Sequence, residues 1–214
     1  MKKYQALLII VAILVIDQIT KLWVKTHMML GEEIPVTSWF IINFVENPGM
    51  AFGMKLPGVW GKLFLSAFRL VAVTGGFWFL LRCIKRNEHW GFTTCVALIL
   101  AGAIGNMIDG SFYGVIFTDS YGRYAEMFPA GGGYAGFMQG LVVDMVQLKL
   151  FHVSVPESFP IWSGQEFDFF PFIFNVADAA ITLGVFFILI FQNTFFKEEP
   201  ATEPVNEVTE QPVV

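Results

Sequence analysis

Residues 4–24 read YQALLIIVAILVIDQITKLWV and are apolar over most of their length. A helix needs about 20 mainly apolar residues to cross the hydrocarbon core of a bilayer, so this stretch predicts a membrane-spanning helix. Lys2 and Lys3 precede it, as basic residues precede a secretory signal, but no small-residue cleavage site follows and the apolar character continues past Asp17. We therefore expect the stretch to stay in the protein as its first spanning helix.

Three further stretches share this length and character, at residues 63–81, 90–108 and 172–196. Of the 214 residues 55% are hydrophobic and 14% are charged, whereas soluble domains carry roughly 25% charged residues. The sequence therefore predicts a mainly α membrane protein with four transmembrane helices. The net charge of −5, without a basic patch, gives no indication of a nucleic-acid partner. Cys83 and Cys95 lie in or beside apolar stretches, where we expect small buried hydrophobic residues.

The distribution of Lys and Arg predicts how the helices are oriented, because short cytoplasmic loops carry an excess of basic residues. Two lysines precede the first helix, and three basic residues crowd the short link between the second and third. The long connections, residues 25–62 and 109–171, are poor in Lys and Arg for their length. We expect both termini and the short link to be cytoplasmic and both long connections to face outward.

The outward connections carry strand patterns. Residues 34–46, IPVTSWFIINFVE, are rich in β-branched and aromatic residues and are followed by the turn residues 47–49, and residues 140–151 form a second β-prone run. These patterns predict a small extracytoplasmic β-sheet subdomain.

The domain organisation follows from these patterns. Residues 1–197 are expected to form one membrane domain with outward β-rich segments at about 31–58 and 111–168. Residues 198–214 are acidic, contain three prolines and have little to bury, so they predict a disordered cytoplasmic tail.

Charged side chains at membrane depth cost several kcal/mol by most estimates, so each needs a partner or a purpose. Asp17 and Lys21 lie four residues apart on one face of the first helix, acid before base, which favours an ion pair. A pair that neutralises itself and a direct role in a functional site both fit this pattern. For Arg69, in the first half of the second helix, we favour a side chain that extends outward to the membrane surface.

Two polar pairs with the same spacing lie near helix ends. Asn106 and Asp109 end the third helix after a run of small residues, and Asn175 and Asp178 begin the fourth. Asn106 could instead bond across helices and Asp109 could be an interfacial carboxylate. Asp144 is a lone acid in the apolar run of residues 141–146. An acid in a loop is more often solvated than catalytic.

Asp144 and Asp178 gain significance if the fold brings them together. Two carboxylates in apolar surroundings cannot both ionise easily, so they share one proton. The ionised member can then activate water while the other protonates a leaving amine, which is the chemistry of aspartyl peptidases. Sequence spacing leaves the approach of the two acids open.

Five motifs in this order resemble the lipoprotein signal peptidase (signal peptidase II) family. They are Asp17-Gln18-Ile19-Thr20-Lys21, Asn47-Pro48-Gly49-Met50-Ala51-Phe52, residues 102–109, Val142-Val143-Asp144 and Phe174-Asn175-Val176-Ala177-Asp178. Together they cover nearly the whole membrane portion of the chain, and their agreement with the predicted topology makes the resemblance specific.

The resemblance implies a membrane aspartic endopeptidase with Asp144 and Asp178 as its catalytic pair. It implies supporting or substrate-binding roles for nine further residues: Asp17, Lys21, Asn47, Gly49, Gly102, Asn106, Asp109, Asn175 and Ala177. The implied substrate is a bacterial prolipoprotein whose cysteine carries diacylglycerol, cut just before that cysteine, in the bacterial cytoplasmic (inner) membrane and with membrane lipids around it. Inhibition by globomycin is implied as well, and neither a metal ion nor another cofactor is expected.

The sequence departs from the family pattern in two ways. The family usually places Arg directly after the acid that matches Asp109, whereas this chain has Gly110, and Arg123 is one candidate to replace it. The outward segment 111–168 is longer than is usual, and the acidic tail is an addition.

Other functions fit the sequence less well than a peptidase of this kind. His27, His89 and His152 are scattered without HExxH spacing, and no serine stands in a nucleophile motif, so a zinc peptidase or a serine–lysine signal peptidase is not favoured. A proton-coupled transporter would need acids through the depth of the bundle, whereas here they cluster at the outward ends. A structural scaffold, with polar residues that only join helices, stays possible on sequence alone.

Overall fold

In the computed structural model the described residues are 1–48, 58–154, 166–169 and 172–196. Within these ranges six α-helices form: α1 Lys3–His27, α2 Gly58–Lys85, α3 Trp90–Ile108, α4 Gly114–Ile116, α5 Val176–Ile190 and α6 Gln192–Phe195. A single π-helical turn, Asp109–Tyr113, joins α3 to α4. Among the described residues, three helical segments are long and apolar enough to cross a membrane. They are Lys3–His27, which is α1, Phe64–Lys85 within α2, and Trp90–Ile116, which runs from α3 through the π turn to α4.

Each of the four predicted apolar stretches forms a helix, but the fourth is shorter than predicted. It spans 15 residues, from Val176 to Ile190, rather than residues 172–196. It starts late because Asn175 is an extended N-cap whose side-chain oxygen accepts a hydrogen bond from the backbone N–H of Asp178. It ends where Phe191 leaves the helical conformation, and α6 follows.

Helix α3 packs against α1, α2 and α5. Glycines bring the α3 and α5 backbones close together: a Cβ on Gly102 would lie 2.2 Å from the Ala177 carbonyl oxygen, and one on Gly184 would lie 2.8 Å from that of Cys95. Such contacts maximise dispersion attraction between helices in lipid, where the hydrophobic effect does not hold helices together. Cys83 and Cys95 are free and buried, as predicted.

The strands in the described part of the chain form two antiparallel sheets. The larger has the order β1-β2-β3-β6, and the smaller pairs β4 with β5. Their bounds are β1 Glu33–Pro35, β2 Phe40–Asn47, β3 Val142–Leu148, β4 Phe151–Ser154, β5 Glu166–Phe169 and β6 Ile173–Phe174. The predicted runs at 34–46 and 140–151 therefore both contain strands, and the β-sheet of the predicted fold class is confirmed. Residues 109–116 are helical, so in the second long connection the strands begin only at Val142.

The larger sheet packs on the end of α1 and on the π turn. One buried cluster contains Val24 of α1, Met28 directly after that helix, Phe44 of β2, and Val143 and Met145 of β3. Because successive side chains of a strand point to opposite faces, Val143 and Met145 face this cluster and the residue between them faces away. The residue between them is Asp144, and the start of α5 lies on the same side of the sheet as its side chain.

Candidate active site

The site is organised around the side chain of Asn175, which is fully buried at the start of α5. Its oxygen caps the helix by accepting from the backbone N–H of Asp178 at 2.9 Å. Its amide nitrogen donates to Asp144 at 2.7 Å and to the side-chain oxygen of Asn106 at 3.1 Å. One amide thereby connects β3, α3 and α5, and it bridges the two aspartates that the sequence leaves 34 positions apart.

Asp144 is 3% exposed on β3. Its two oxygens accept hydrogen bonds from the side-chain amides of Asn175 and, at 3.0 Å, of Asn47 at the end of β2. Burial, followed by the charge of Asp178, raises the pKa of Asp144 to about 7, although the two amides and Lys21 act in the opposite direction. Asp144 therefore changes its charge near neutral pH.

Asp178 is half-buried in the first turn of α5. Its carboxylate accepts from the backbone N–H of Asn175 at 3.2 Å and from the side-chain amide of Asn106 at 2.8 Å. It lies at the N-terminal end of α5, the end of a helix that carries a partial positive charge. Asp144 and Asp178 are thus held on either side of Asn175, close enough for their charges to interact.

Beneath the pair, Lys21 of α1 is completely buried and joins three partners. Its ammonium group lies 2.9 Å from Asp17, 2.8 Å from Asp109 and 2.9 Å from the side-chain oxygen of Asn106. Asp17 and Lys21 form the ion pair that their spacing favours, and the lysine also contacts a second acid and an amide that donates to Asp178. The buried charges are compensated by geometry that satisfies each donor and acceptor.

Asp17 attaches α1 to the start of α5. Its carboxylate accepts from the backbone N–H of Ala177 at 2.9 Å, which satisfies a free N–H of the first helical turn. Gly105 permits this approach, since a Cβ there would lie 2.6 Å from an Asp17 oxygen. Gly102 and Gly105 lie on either side of Ala177, so the small residues of α3 set the position of α5.

Asp109 attaches α1 to the sheet. Besides its contact with Lys21, it accepts from the side chain of Gln18 at 2.9 Å and from the backbone N–H of Val143 at 3.3 Å. The last bond fixes β3 at the residue before Asp144. Gln18 in turn accepts from the Tyr113 hydroxyl group at 3.2 Å, so the π turn is tied to the same network.

The family model described as signal peptidase (SPase) II matches residues 9–195. This chain belongs to the signal peptidase II family. Signal peptidase II is a family of aspartic peptidases, so the protein is a hydrolase of the membrane, and the resemblance found in its motifs is confirmed.

Similar proteins support the assignment across the chain. A lipoprotein signal peptidase of Porphyromonas gingivalis (strain W83) is 48% identical over 183 residues, which cover 85% of this chain and 80% of that protein. A lipoprotein signal peptidase of Amoebophilus asiaticus is 32% identical over 204 residues, 92% of this chain and 80% of that protein. Two solved structures, each titled as a bacterial membrane enzyme determined by the in meso method, share the fold. Their TM-scores are 0.59 and 0.55 at 24% and 23% identity, over 92% and 94% of this chain and 96% of each of theirs.

Ten of the eleven residues that the motifs indicated for the predicted site lie in this one network or in the helix contact beneath it. They are Asp17, Lys21, Asn47, Gly102, Asn106, Asp109, Asp144, Asn175, Ala177 and Asp178. Gly49 lies outside the described residues.

Sequence reasoning assigned no site role to Gln18 or to Arg69. Gln18 was quoted within the first motif without a role, although a polar residue beside Asp17 at membrane depth was itself an indication. Arg69, for which we favoured a side chain that extends to the membrane surface, is half-buried, and its guanidinium lies beside Gly110. Arg123, the earlier candidate for the missing arginine, instead forms an exposed ion pair with Asp119.

Proposed function

We propose that this enzyme removes the signal peptide from bacterial prolipoproteins, cleaving before the diacylglyceryl-modified cysteine, with Asp144 and Asp178 as the catalytic pair. The family supports the reaction, and the names of the relatives support the substrate class. The observation that carries the residue assignment is the Asn175 amide, which joins both aspartates in one buried network.

In the proposed mechanism a water molecule lies between the two carboxyl groups. The ionised carboxylate accepts a proton from the water as its oxygen bonds to the scissile carbonyl carbon. The protonated carboxyl group gives its proton to the carbonyl oxygen, and a tetrahedral diol forms. The diol then collapses: the carboxyl group that took the proton from water gives it to the leaving nitrogen, the C–N bond breaks, and the other carboxylate accepts a proton from a diol hydroxyl group. A carboxylic acid and a free amine result, and the pair again carries one proton.

We assign the shared proton to Asp144, because its pKa is raised to about 7 and Asp178 is the less buried of the two acids. The pair then carries one proton up to about neutral pH, the state that this chemistry needs. Asn47, Asn106 and Asn175 orient the acids through their amide groups.

The position of the pair supports a substrate that enters from the membrane. Asp178 lies in the first turn of an apolar helix, while Asp144 lies on a sheet at the end of the bundle. We infer that the diacylglyceryl chains stay in the bilayer while the peptide backbone lies along the sheet near Asn47. The basic residues at the far end of α2 support an active site near the outer face of the cytoplasmic membrane, with both termini cytoplasmic. Globomycin is expected to inhibit by occupying the same space.

The test is cleavage of a diacylglyceryl-modified prolipoprotein by the purified protein in detergent, with and without globomycin. The variants are Asp144→Asn, Asp178→Asn and, as a matched control, Asp119→Asn, which removes an acid from the exposed ion pair with Arg123. We expect loss of at least 1,000-fold in kcat for each variant of the pair, as on removal of an essential acid or base group.

The control should cleave at the wild-type rate, and thermal unfolding should show all variants folded. Cleavage that survives in a folded Asp144→Asn or Asp178→Asn variant would disprove the catalytic pair. A folded wild type that cuts the unmodified precursor equally well would disprove the lipid-dependent specificity.

A further inference from the structure

The end of α2 that leads into the link to α3 carries large apolar and basic side chains on one face. Residues at helical spacing share a face, and here they are Trp78, Leu81, Arg82 and Lys85, with Arg86 directly after the helix. These five residues line an open pocket of about 510 Å³. All five side chains are exposed, so the pocket opens away from the rest of the protein.

This pocket lies where a spanning helix reaches the membrane surface. Residues Phe64–Lys85 are long and apolar enough to cross a membrane, and the next such segment begins at Trp90. The other face of α2 at this end packs in the helix core, where Leu80, Cys83 and Ile84 are buried. The surroundings of the pocket are therefore lipids.

The side chains of the pocket follow the order of the groups in a phospholipid. Trp78 and Leu81 come first along α2, and the three basic residues follow toward the surface. A rise of about 1.5 Å per residue places Trp78 and Arg86 about 12 Å apart along the helix axis. The polar region of one leaflet is about 5–8 Å deep, so the row extends from the hydrocarbon to the headgroups.

The three cations of the pocket have no acid partner within the described part of the chain. Arg82, Lys85 and Arg86 form no ion pair there, and their side chains donate no hydrogen bond to it. Glu88, the one acid of the link, is half-buried and lines a smaller cavity beside the two arginines without pairing with either. The Arg82 guanidinium lies 5.3 Å from the centre of the Trp78 ring, and its N–H groups can still reach an acceptor outside the protein.

The end of α2 does not use these side chains as caps. The carbonyl groups of Arg82, Cys83 and Ile84 accept hydrogen bonds from the backbone N–H groups of residues 86, 88 and 87, at 2.9, 3.1 and 3.2 Å. Basic residues that only orient a helix in the membrane need the right side of the membrane and do not need a shared pocket. The grouping of three cations beside an indole ring therefore indicates a bound anion.

We propose that this pocket binds an anionic phospholipid, with its phosphate on Arg82, Lys85 and Arg86 and an acyl chain along Trp78 and Leu81. Lipid phosphate is the anion present at this depth, and guanidinium groups match its oxygens. A headgroup with a net negative charge fits three cations better than a zwitterionic one, which adds a cation of its own. The site lies at the opposite end of α3 from the candidate active site, so it does not depend on the proposed function.

The test is native mass spectrometry of the full-length protein in detergent, titrated with phosphatidylglycerol and with phosphatidylcholine as the zwitterionic comparator. We expect one phosphatidylglycerol molecule to bind about tenfold more tightly than phosphatidylcholine. Arg82→Gln should weaken phosphatidylglycerol binding about fivefold and Arg82→Gln/Arg86→Gln about 25-fold, since each basic group near a membrane surface contributes about a factor of five. Equal binding of the two lipids to the wild type would overturn the proposal.

Lys3→Gln is the matched control. Lys3 is an exposed cation at the same end of the bundle, where the Thr94 hydroxyl group at the start of α3 donates to the Met1 sulfur at 3.6 Å. Its removal should change the affinity by less than about twofold. An equal loss in Lys3→Gln and Arg82→Gln would show diffuse attraction and overturn the site. Inorganic phosphate that displaces phosphatidylglycerol at a similar concentration would show a site for the free anion and overturn the lipid proposal.

A second measurement tests the apolar half of the pocket without any change of charge. Phosphatidylglycerol with brominated acyl chains quenches the fluorescence of an indole ring that it contacts. Quenching should saturate over the concentrations at which the lipid binds, and Trp78→Phe should remove that saturating part. A Trp78→Phe variant with the wild-type saturating part would overturn the placement of the acyl chain.

The acidic residues 198–214 are the competing occupant of the pocket. They follow α6 in the sequence, and α6 lies at this end of the bundle, with the Phe195 ring 5.1 Å from that of His89. A full-length variant with the five glutamates of this segment changed to glutamine should bind phosphatidylglycerol as the wild type does. Binding that appears only in that variant would show that the segment fills the pocket, and it would overturn the proposal.

Discussion

Two buried lysines one helical turn apart on α1 have different tasks. Lys21 joins two acids and an amide within the candidate active site. Lys25 is equally buried but pairs with Glu46 of β2 and bonds to the Ser120 hydroxyl group at 2.8 Å. Its ammonium group also lies 4.9 Å from the centre of the Tyr134 ring. One lysine therefore compensates charge within the helix bundle, while the other fastens the sheet and the long connection to the end of α1.

The comparison shows why the loss of Lys21 and the loss of Lys25 should differ in their effect on stability. The acids around Lys21 are fully buried, so loss of the lysine leaves two carboxylates without compensation. Lys25 has one acid partner, and its surroundings include the aromatic faces of Phe44 and Phe117. A buried ion pair is most costly to break when one partner stays behind, so the number of stranded acids sets the expected effects.

Lys21→Met should have the largest effect. Because Asp17 and Asp109 then stay buried without a cation, we expect the free energy of unfolding to fall by about 3–5 kcal/mol. Signal peptide cleavage should fall more than 100-fold, since Asn106 also loses a partner. Thermal unfolding in detergent measures the first effect, and Lys3→Met, an exposed lysine at the start of the same helix, is the control. A variant that unfolds within a degree of wild type would contradict the compensation described here.

Lys25→Met should destabilise less, and its effect should be reversible. We expect a loss of about 1–3 kcal/mol, with Lys25→Met/Glu46→Gln recovering much of it because no unpaired charge is left. The same rescue is not available at position 21, where two acids would have to change. A double-mutant cycle on thermal unfolding measures the difference, together with an unchanged pH profile of cleavage. A double variant no more stable than Lys25→Met would show that Glu46 is not the stranded group.

Glycine substitutions extend the comparison to packing. Gly102→Ala places a Cβ 2.2 Å from the Ala177 carbonyl oxygen, a backbone atom that cannot move alone, so α3 and α5 must separate. We expect a loss of about 1–3 kcal/mol in stability and reduced cleavage, because the start of α5 carries Asn175 and Asp178. Gly131→Ala, in the long connection, meets nothing within 4 Å and should be near neutral. Equal effects of the two substitutions would contradict the close helix contact.

The smallest expected effect is a pH dependence of stability. Since the pKa of Asp144 is raised to about 7, the folded protein binds more protons than the unfolded chain between about pH 4 and pH 7, and stability falls as pH rises through that window. Asp144→Asn should flatten the dependence of the thermal midpoint between pH 5 and pH 8 by a few degrees. Asp119 is the control, because its hydrogen bond with Arg123 lowers the pKa of that exposed acid and its stabilising effect is complete above pH 5. An unchanged slope in Asp144→Asn would contradict the raised pKa.

Much of the fold and site could be predicted because the signals are local. Apolar runs long enough for a bilayer predict the helices, and β-branched runs before a turn predict β2 and β3. The two ends of the fourth helix could not be predicted from hydropathy. Its start depends on the cap that Asn175 provides, and its end depends on the backbone conformation of Phe191. Residues 198–214 lie outside the described residues, and their disorder stays a prediction, as do the domain bounds.

The sequence by itself determined that the protein lies in a membrane, where its helices are and which aspartates are candidates for the site. Composition and short motifs are sufficient for these points, because they depend only on residues close together in the chain. Only the tertiary structure decided that Asn175 joins Asp144 to Asp178, that Lys21 serves two acids, and that Arg69 faces Gly110. These contacts join residues tens of positions apart. Their strength depends on distance, burial and the charges nearby, which exist only once β3, α3 and α5 have packed together.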